Sequence, residues 1–350
     1  MRKPKVASQG ALTAKKRLAD RRVWSSAKKR IRNGGRPNPK FFRLGRLYMM
    51  RVSAPTVLGL HTNDTRNTTI DFLAKIRDHC RTRGVGLHID FGPLTKMYPT
   101  GAVLLLAELD RAVVNREFRV QITRPRNGIV DEVLQQIGIY ERVGIECEKA
   151  PNHESVIHWR SATGVLSDGQ TSGTLLLSYE GRLAEGIARG LYGGIIEAMT
   201  NTVHHAYDGV EGEKLRHGIG RRWWMLSQEK DGELTVAICD LGIGIPKSLP
   251  RSRSFNWSDV KAFWDKLGLD RRDGSAIKVA LEIGKTRTGM QERGKGLADI
   301  VEAVNLSPDG RVLICSNKGS FASANGKGYA HNHASSIRGT LINWHVPIAE

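Results

Sequence analysis

The chain has little cysteine and no long apolar run, and these two absences exclude several classes of protein. No stretch of its 350 residues approaches the roughly 20 apolar residues that a membrane-spanning helix needs. The cysteines show no Cys-x-x-Cys spacing, which argues against a zinc site or a disulfide framework: Cys80, Cys147, Cys239 and Cys315. Free thiols are typical of a reducing compartment, and no apolar segment follows the basic N-terminus. We therefore expect a soluble, cytoplasmic protein with no membrane partner.

Two motifs for phosphate chemistry are also missing. There is no Gly-x-x-x-x-Gly-Lys-Ser/Thr run, so a P-loop NTPase is excluded, and there is no His-Arg-Asp of the protein-kinase type. His331 and His333 lie in a stretch rich in glycine, serine and asparagine, residues 319–336, which predicts a surface loop rather than a metal or nuclease site. Any nucleotide chemistry must therefore depend on other motifs.

Positive charge is concentrated at the N-terminus. Residues 1–51 contain 17 Lys and Arg and a single acid, Asp20, and so carry +16 of the net +19. Such a segment repels itself, so we expect a disordered or partly helical tail on which neither core depends. Its partner would be a polyanion, either nucleic acid or an anionic surface. The alternative is a solubilising extension without a specific partner.

Strand and helix patterns alternate in residues 54–148, which predicts an α/β domain. The predicted elements are a strand at 86–91, a buried helix at 100–114, a strand at 118–122, a helix at 127–137 and a strand at 143–147. Residues 149–173 lack sustained periodicity and predict an interdomain connector. A second domain, 174–350, follows.

A polar triplet is predicted on a buried helix of this second domain. Glu197, Asn201 and His205 are spaced four residues apart, so they share one helical face. An apolar stripe precedes them at Leu183, Ile187, Leu191 and Ile195. By itself the triplet has a simpler interpretation as a solvated helix face.

Three glycine-containing segments follow the triplet. Asp240 ends a strand pattern at 234–239, and Gly242 and Gly244 allow a tight turn close to a ligand. Gly294-Lys295-Gly296 comes next, and then Gly339-Thr340 before a terminal strand pattern at 341–346. Each segment alone is also compatible with a turn that binds nothing. All of them together, in this order and with these spacings, predict a nucleotide site.

The content and order of the segments resemble the GHKL superfamily of ATP-binding domains, which includes gyrase, the large heat-shock chaperones, histidine kinases and MutL. The first segment is most similar to that of the anti-sigma-factor serine kinases. The resemblance covers residues 175–347. It implies a two-layer α/β sandwich of the Bergerat type, with ATP and Mg²⁺ as ligands.

The resemblance also implies roles for individual residues. Glu197 would be the general base, and Asn201 would hold Mg²⁺ through its side-chain oxygen, a hard ligand for a hard cation. Asp240, supported by Thr340, would accept a hydrogen bond from the adenine amino group. The other positions would line the nucleotide or its phosphates: His205, Gly242, Gly244, Gly294, Lys295 and Gly296. The residues themselves leave open a structural histidine at 205 and a solvated lysine at 295.

Residues 54–148 resemble a STAS domain, the fold of anti-sigma-factor antagonists, through Asp90-Phe91 after a strand and Thr100-Gly101 at the start of an apolar helix. The resemblance implies a protein partner and makes Thr100 the candidate phosphoacceptor. The chain departs from the family pattern with Tyr98 in place of an aspartate and Pro99 where a serine is common. An α/β domain of another kind is the alternative.

Two functions follow from this organisation. The first is an ATP-binding regulatory protein that hydrolyses ATP or phosphorylates a Ser or Thr on a protein, with a STAS-like interaction module. A conventional sensor histidine kinase fits poorly, because no dimerisation helix pair precedes the ATP domain. The second is a nucleic-acid-associated ATPase clamp, in which residues 1–51 hold the polyanion and ATP controls closure of a homodimer.

Overall fold

The computed structural model describes residues 41–349, apart from 45–46, 80–84, 115–118, 168–178, 180, 252–256, 287–295, 306 and 308. Most of the predicted basic tail, residues 1–40, therefore lies outside the described residues, as do Gly294 and Lys295. The fold is mixed α/β, as the sequence predicts. Within the described ranges, none of the helices combines the length and the apolar character needed to cross a bilayer.

The N-terminal region contains a four-stranded sheet with the order β1-β2-β4-β6. Its strands, together with a short β3–β5 pair, are β1 (Phe41–Leu44), β2 (Leu47–Ser53), β3 (Val57–Leu58), β4 (Val85–Asp90), β5 (Lys96–Met97) and β6 (Val120–Thr123). Strands β2, β4 and β6 are parallel, and β1 is antiparallel to β2. The helices are α1 (Asn63–His79), α2 (Pro99–Val113), α3 (Gly128–Gln136) and α4 (Ile139–Arg142).

Two sequence expectations for this region are wrong. The sequence predicts a tail that extends to residue 51, but residues 41–44 and 47–51 belong to β1 and β2. Met49 of β2 is fully buried. The prediction fails because the arginines of this stretch dominate its charge and obscure its short apolar runs. The strand expected at 143–147 is absent from these described residues. Its alternating apolar side chains pack against the core without forming strand hydrogen bonds: Val143, Ile145 and Cys147.

The C-terminal region contains a seven-stranded antiparallel sheet with the order β12-β11-β10-β13-β9-β8-β7. Its strands are β7 (Arg160–Gly164), β8 (Trp223–Lys230), β9 (Glu233–Asp240), β10 (Arg311–Ser316), β11 (Gly319–Ala324), β12 (Lys327–Asn332) and β13 (Thr340–Pro347). The sequence predicts a loop at 319–336, and this prediction is wrong. The stretch contains the β11–β12 hairpin, whose residues pair through their backbones.

The helices of the second half are α5 (Glu154–Ile157), α6 (Glu185–Asn201), α7 (Gly209–Arg216), α8 (Ile245–Ser248), α9 (Trp257–Lys266), α10 (Asp273–Thr286) and α11 (Gly296–Asn305). Helices α6, α10 and α11 contribute to one apolar core with one face of the large sheet. Helices α9 and α10 share a smaller apolar cluster.

The segment predicted to be a connector is built into both halves where it is described. It contains α5 and β7, and β7 pairs with β8 at the edge of the large sheet. Trp159 is 2% exposed in the core shared with the N-terminal region, and its carbonyl accepts a hydrogen bond from Gln136 Nε2 at 3.0 Å. A single large aromatic side chain therefore anchors a stretch whose composition suggested a linker.

Helix α2 packs on the second face of the large sheet, so this sheet is covered on both sides. Almost every residue of α2 is buried, as expected for a helix that is apolar around its whole circumference. It shares one core with Trp224 of β8 and Cys239 of β9, whereas their neighbours Trp223 and Ile238 face the α6 core. Helices therefore pack on both faces of the large sheet, and the helix on the second face comes from the N-terminal region.

Candidate functional site

Helix α6 carries the first two predicted site residues on one face. Asn201 Nδ2 donates a hydrogen bond to Glu197 Oε1 at 2.9 Å, one helical turn earlier, and both side chains are half-buried. Another face of the helix is anchored in the core by a regular apolar stripe: Ile187, Leu191, Ile195, Ala198 and Met199. The spacing in the sequence therefore predicted this pair correctly.

His205 does not continue that α-helical face, because α6 passes into a π-helical turn at Thr202–Ala206. A π turn has more residues per turn than an α-helix, so the four-residue spacing no longer keeps His205 aligned with Glu197. Such single π turns are frequent at functional sites. The pKa of His205 is lowered, mainly by burial, so the ring is neutral at pH 7.

The π turn joins the end of α6 to the turn after Asp240. Ile243 N donates to Ala206 O at 2.7 Å, and Leu241 N donates to Tyr207 Oη at 3.0 Å. Gly242 lies so close to the carbonyl of Ala206 that a Cβ atom at this position would collide with it. The first and second sequence segments are therefore in direct contact, which their separation in the chain alone could not show.

Asp240 is the buried acid of the site, at 6% exposed. Its Oδ1 accepts a hydrogen bond from Gly242 N at 2.7 Å, and Thr340 donates to the carboxylate through both its backbone and its hydroxyl. Thr340 lies directly opposite Asp240 on the neighbouring strand β13. Burial nevertheless dominates and raises the pKa of Asp240 to about 6, while these hydrogen bonds act in the opposite direction.

Two polar residues that the sequence analysis missed hold the glycine turn. Ser316 Oγ accepts a hydrogen bond from Ile245 N at 2.8 Å, and Asn317 Nδ2 donates to Ile243 O at 2.7 Å. Gly244 adopts a φ of +80°, which favours glycine, and its Cα faces the Asn317 side chain closely. The available signal was a Ser-Asn pair at the end of a strand pattern, a common feature that would not have been specific.

The third segment is described only at its last residue. Gly296 is the first residue of α11, whose apolar side packs in the same core as α6. The structure thus brings Asp240, Gly242 and Thr340 together beside the π turn, and Glu197 and Asn201 lie in the last turns of the helix that precedes it. The roles expected of Gly294 and Lys295 stay predictions.

The described residues contain no group of three or more His, Cys, Asp or Glu that could hold a metal ion. A magnesium ion bound mainly by nucleotide phosphates needs only one or two protein ligands. Asn201 is compatible with that role, because its amide nitrogen is used by Glu197 and its carbonyl oxygen accepts no hydrogen bond from a described residue.

Comparison with protein-family models and with curated proteins returned no match for this chain. The geometry of the site and the sequence motifs are therefore the basis for assigning a function.

Proposed function

We propose that the protein binds ATP with Mg²⁺ at the end of the large sheet and uses it in a regulatory reaction, either hydrolysis or phosphorylation of a Ser or Thr on a protein. The observation that carries this proposal is the buried Asp240 carboxylate, which Gly242 and Thr340 hold in a turn that contacts Ala206. An ionised carboxylate in a poorly hydrated position binds an N–H donor, such as an exocyclic adenine amino group, more strongly than one in water.

Glu197 and Asn201 would act on the phosphate end of the nucleotide. Glu197 would orient and deprotonate the attacking hydroxyl, of water or of a protein, and Asn201 would hold the metal through its side-chain oxygen. Bound Mg²⁺ supplies charge stabilisation to the transferred phosphoryl group. His205, in the π turn and neutral at pH 7, would act as a hydrogen-bonding group rather than as a cation.

The position of Thr100 favours hydrolysis, or transfer to another protein, over transfer to this chain's own candidate phosphoacceptor. Thr100 lies in the first turn of α2 and is 7% exposed. Its hydroxyl accepts a hydrogen bond from Leu60 N at 3.3 Å. Helix α2 also covers the sheet face opposite to α6. Phosphorylation of Thr100 would therefore require α2 to leave its core.

Calorimetric titration of the full chain with ATP and Mg²⁺ tests the proposal. Asp240→Asn should weaken binding about tenfold or more, because loss of a matched acceptor typically costs about 1–3 kcal/mol. Asp231→Asn is the matched control, since this aspartate lies in the exposed β8–β9 turn. No measurable ATP binding by the wild-type chain, or equal affinity of Asp240→Asn and wild type, would reject the proposed site.

A second candidate function is an ATP-gated clamp on nucleic acid. The observation in its favour is the charge of residues 1–40, which contain 14 Lys and Arg and one acid. Contacts from such a segment go mainly to phosphates, so binding should fall steeply with salt and show little sequence preference. A salt titration on unrelated oligonucleotides, with and without residues 1–40, tests it. Binding that is unaffected by the deletion would contradict this function.

A further inference from the structure

Arg66 is buried where α1 meets the large sheet. It is 2% exposed, and its Nη1 lies 3.5 Å from Cys315 Sγ on β10. Neither Nε nor Nη2 has a hydrogen-bond partner, although both atoms are fully buried. The guanidinium thus reaches from the N-terminal region to the C-terminal sheet with part of its hydrogen-bonding capacity unused.

An unpaired arginine at this depth is unfavourable, because the guanidinium stays charged at any pH that a folded protein tolerates. At Arg77 the buried positive charge is compensated, because Glu108 forms an ion pair with Arg77 Nε at 2.8 Å. No described carboxylate forms an ion pair with Arg66. The charge therefore lacks the partner that a buried arginine normally has.

The groups around Arg66 do not supply a negative charge. Burial raises the pKa of Cys315, more than the Arg66 charge lowers it, so the thiol stays protonated at pH 7. Burial and the charges of Arg66 and His331 lower the pKa of His333 to about 4, so that ring is neutral. His333 Nε2 lies 2.8 Å from Ser320 Oγ. Neither Cys315 nor His333 therefore carries a negative charge that would compensate Arg66.

The two unused nitrogens are on one edge of the guanidinium plane. Their N–H bonds are parallel, and this is the edge that donates two hydrogen bonds to two oxygens of one carboxylate or phosphate. A single chloride ion accepts these two hydrogen bonds only with bent geometry. The unused edge therefore favours an anion with two oxygens over chloride.

We propose that the Arg66 edge is a binding site for a small oxyanion with phosphate or carboxylate chemistry, at the contact of α1 with β10 and near His333. Because Arg66 belongs to one region and its surroundings to the other, the anion stabilises their packing. This proposal does not depend on nucleotide binding at Asp240.

Thermal unfolding of the full chain tests the site. Sodium phosphate, sulfate or acetate is varied in nucleotide-free buffer while ionic strength is kept constant with sodium chloride. A saturable rise in Tm of about 2 °C at ten times Kd is expected for wild type. Phosphate and sulfate effective without acetate identify a phosphate-type ligand, and acetate alone identifies a carboxylate.

Two variants of Arg66 assign the effect to this residue. Arg66→Met removes the charge with a similar volume and should abolish the response, while its Tm without oxyanion equals or exceeds that of wild type. Arg66→Lys keeps the charge but lacks the two-nitrogen edge, so its oxyanion preference over chloride should disappear. Arg124→Met, an exposed control, and Asn201→Ala, which alters the proposed nucleotide site, should respond like wild type. No saturable response in wild type, or an undiminished one in Arg66→Met or Arg66→Lys, would overturn the proposal.

Discussion

Apart from Arg66, the N-terminal and C-terminal regions differ in how their buried polar side chains are satisfied. In the N-terminal region, Arg77 pairs with Glu108, and Thr100 accepts a backbone hydrogen bond, so these groups are satisfied within the region. In the C-terminal region, Asp240 is buried with a raised pKa, and Glu197 and Asn201 are half-buried near the end of α6. Groups kept in an unfavourable state are more common at functional sites than in purely structural cores.

The two regions are also joined by more than a chain connection. Trp224 Nε1 donates to Asp110 Oδ2 at 2.6 Å, and Arg142 Nε donates to the other oxygen of the same carboxylate at 2.6 Å. Leu241, next to Asp240, belongs to the core that contains α2. The N-terminal region therefore supports the rear of the turn on which the proposed adenine acceptor lies.

Deleting residues from the N-terminus should give the largest difference between the regions. Removal of residues 1–53 deletes β1 and β2, including the buried Met49 and Val52, and leaves β4 with only one of its two parallel partners. We expect the N-terminal region to lose its cooperative fold. Removal of residues 1–40 keeps every described strand and should leave Tm nearly unchanged. Circular dichroism melts of both shortened chains measure this, and equal Tm values would contradict the role given to β2.

Glu197→Gln should separate binding from turnover in the C-terminal region. The amide still accepts the hydrogen bond from Asn201 but cannot act as a base, so turnover should fall about 10²–10⁴-fold while ATP affinity changes little. Glu185→Gln, on an exposed part of the same helix, is the control. Release of labelled phosphate, or transfer of label to protein, provides the measurement. Wild-type turnover in Glu197→Gln would show that Glu197 is not the general base.

The sequence predicted the Asp240 turn and the Glu197–Asn201 pair because each depends on local geometry: a strand followed by glycines, and one turn of helix. It could not predict the π turn, since one turn of altered winding after Asn201 has no distinct residue pattern. The burial of Arg66 and the support from Ser316 depend on contacts between distant segments. Strand β2 was missed because flanking arginines dominated the charge count.

Replacement of neighbouring tryptophans compares the two faces of the large sheet. Trp223 and Trp224 are both fully buried, but Trp223 Nε1 donates to Leu166 O on the β7 side, whereas Trp224 donates to Asp110 of α2. Each change to Phe should cost about 1–3 kcal/mol of unfolding free energy. Only Trp224→Phe should speed hydrogen exchange in α2, because it weakens the link to that helix. Equal protection of α2 in both variants would contradict this.

The smallest expected effect is a pH dependence that comes from Asp240. Its pKa is raised to about 6, so above pH 7 the carboxylate is ionised and can accept a hydrogen bond from the adenine amino group. Below pH 6 the carboxylate becomes protonated. ATP affinity should therefore fall about tenfold between pH 7 and 5 through this group. Stability of the free protein changes in the opposite direction. Because the folded-state pKa exceeds the unfolded value, the stability contributed by protonated Asp240 is complete below about 3.8 and is lost as pH rises through about 6. Titration of Asp240→Asn with the same ligand removes this contribution while the phosphates still titrate. A pH profile of affinity that is the same in wild type and Asp240→Asn would show that Asp240 does not contact the nucleotide.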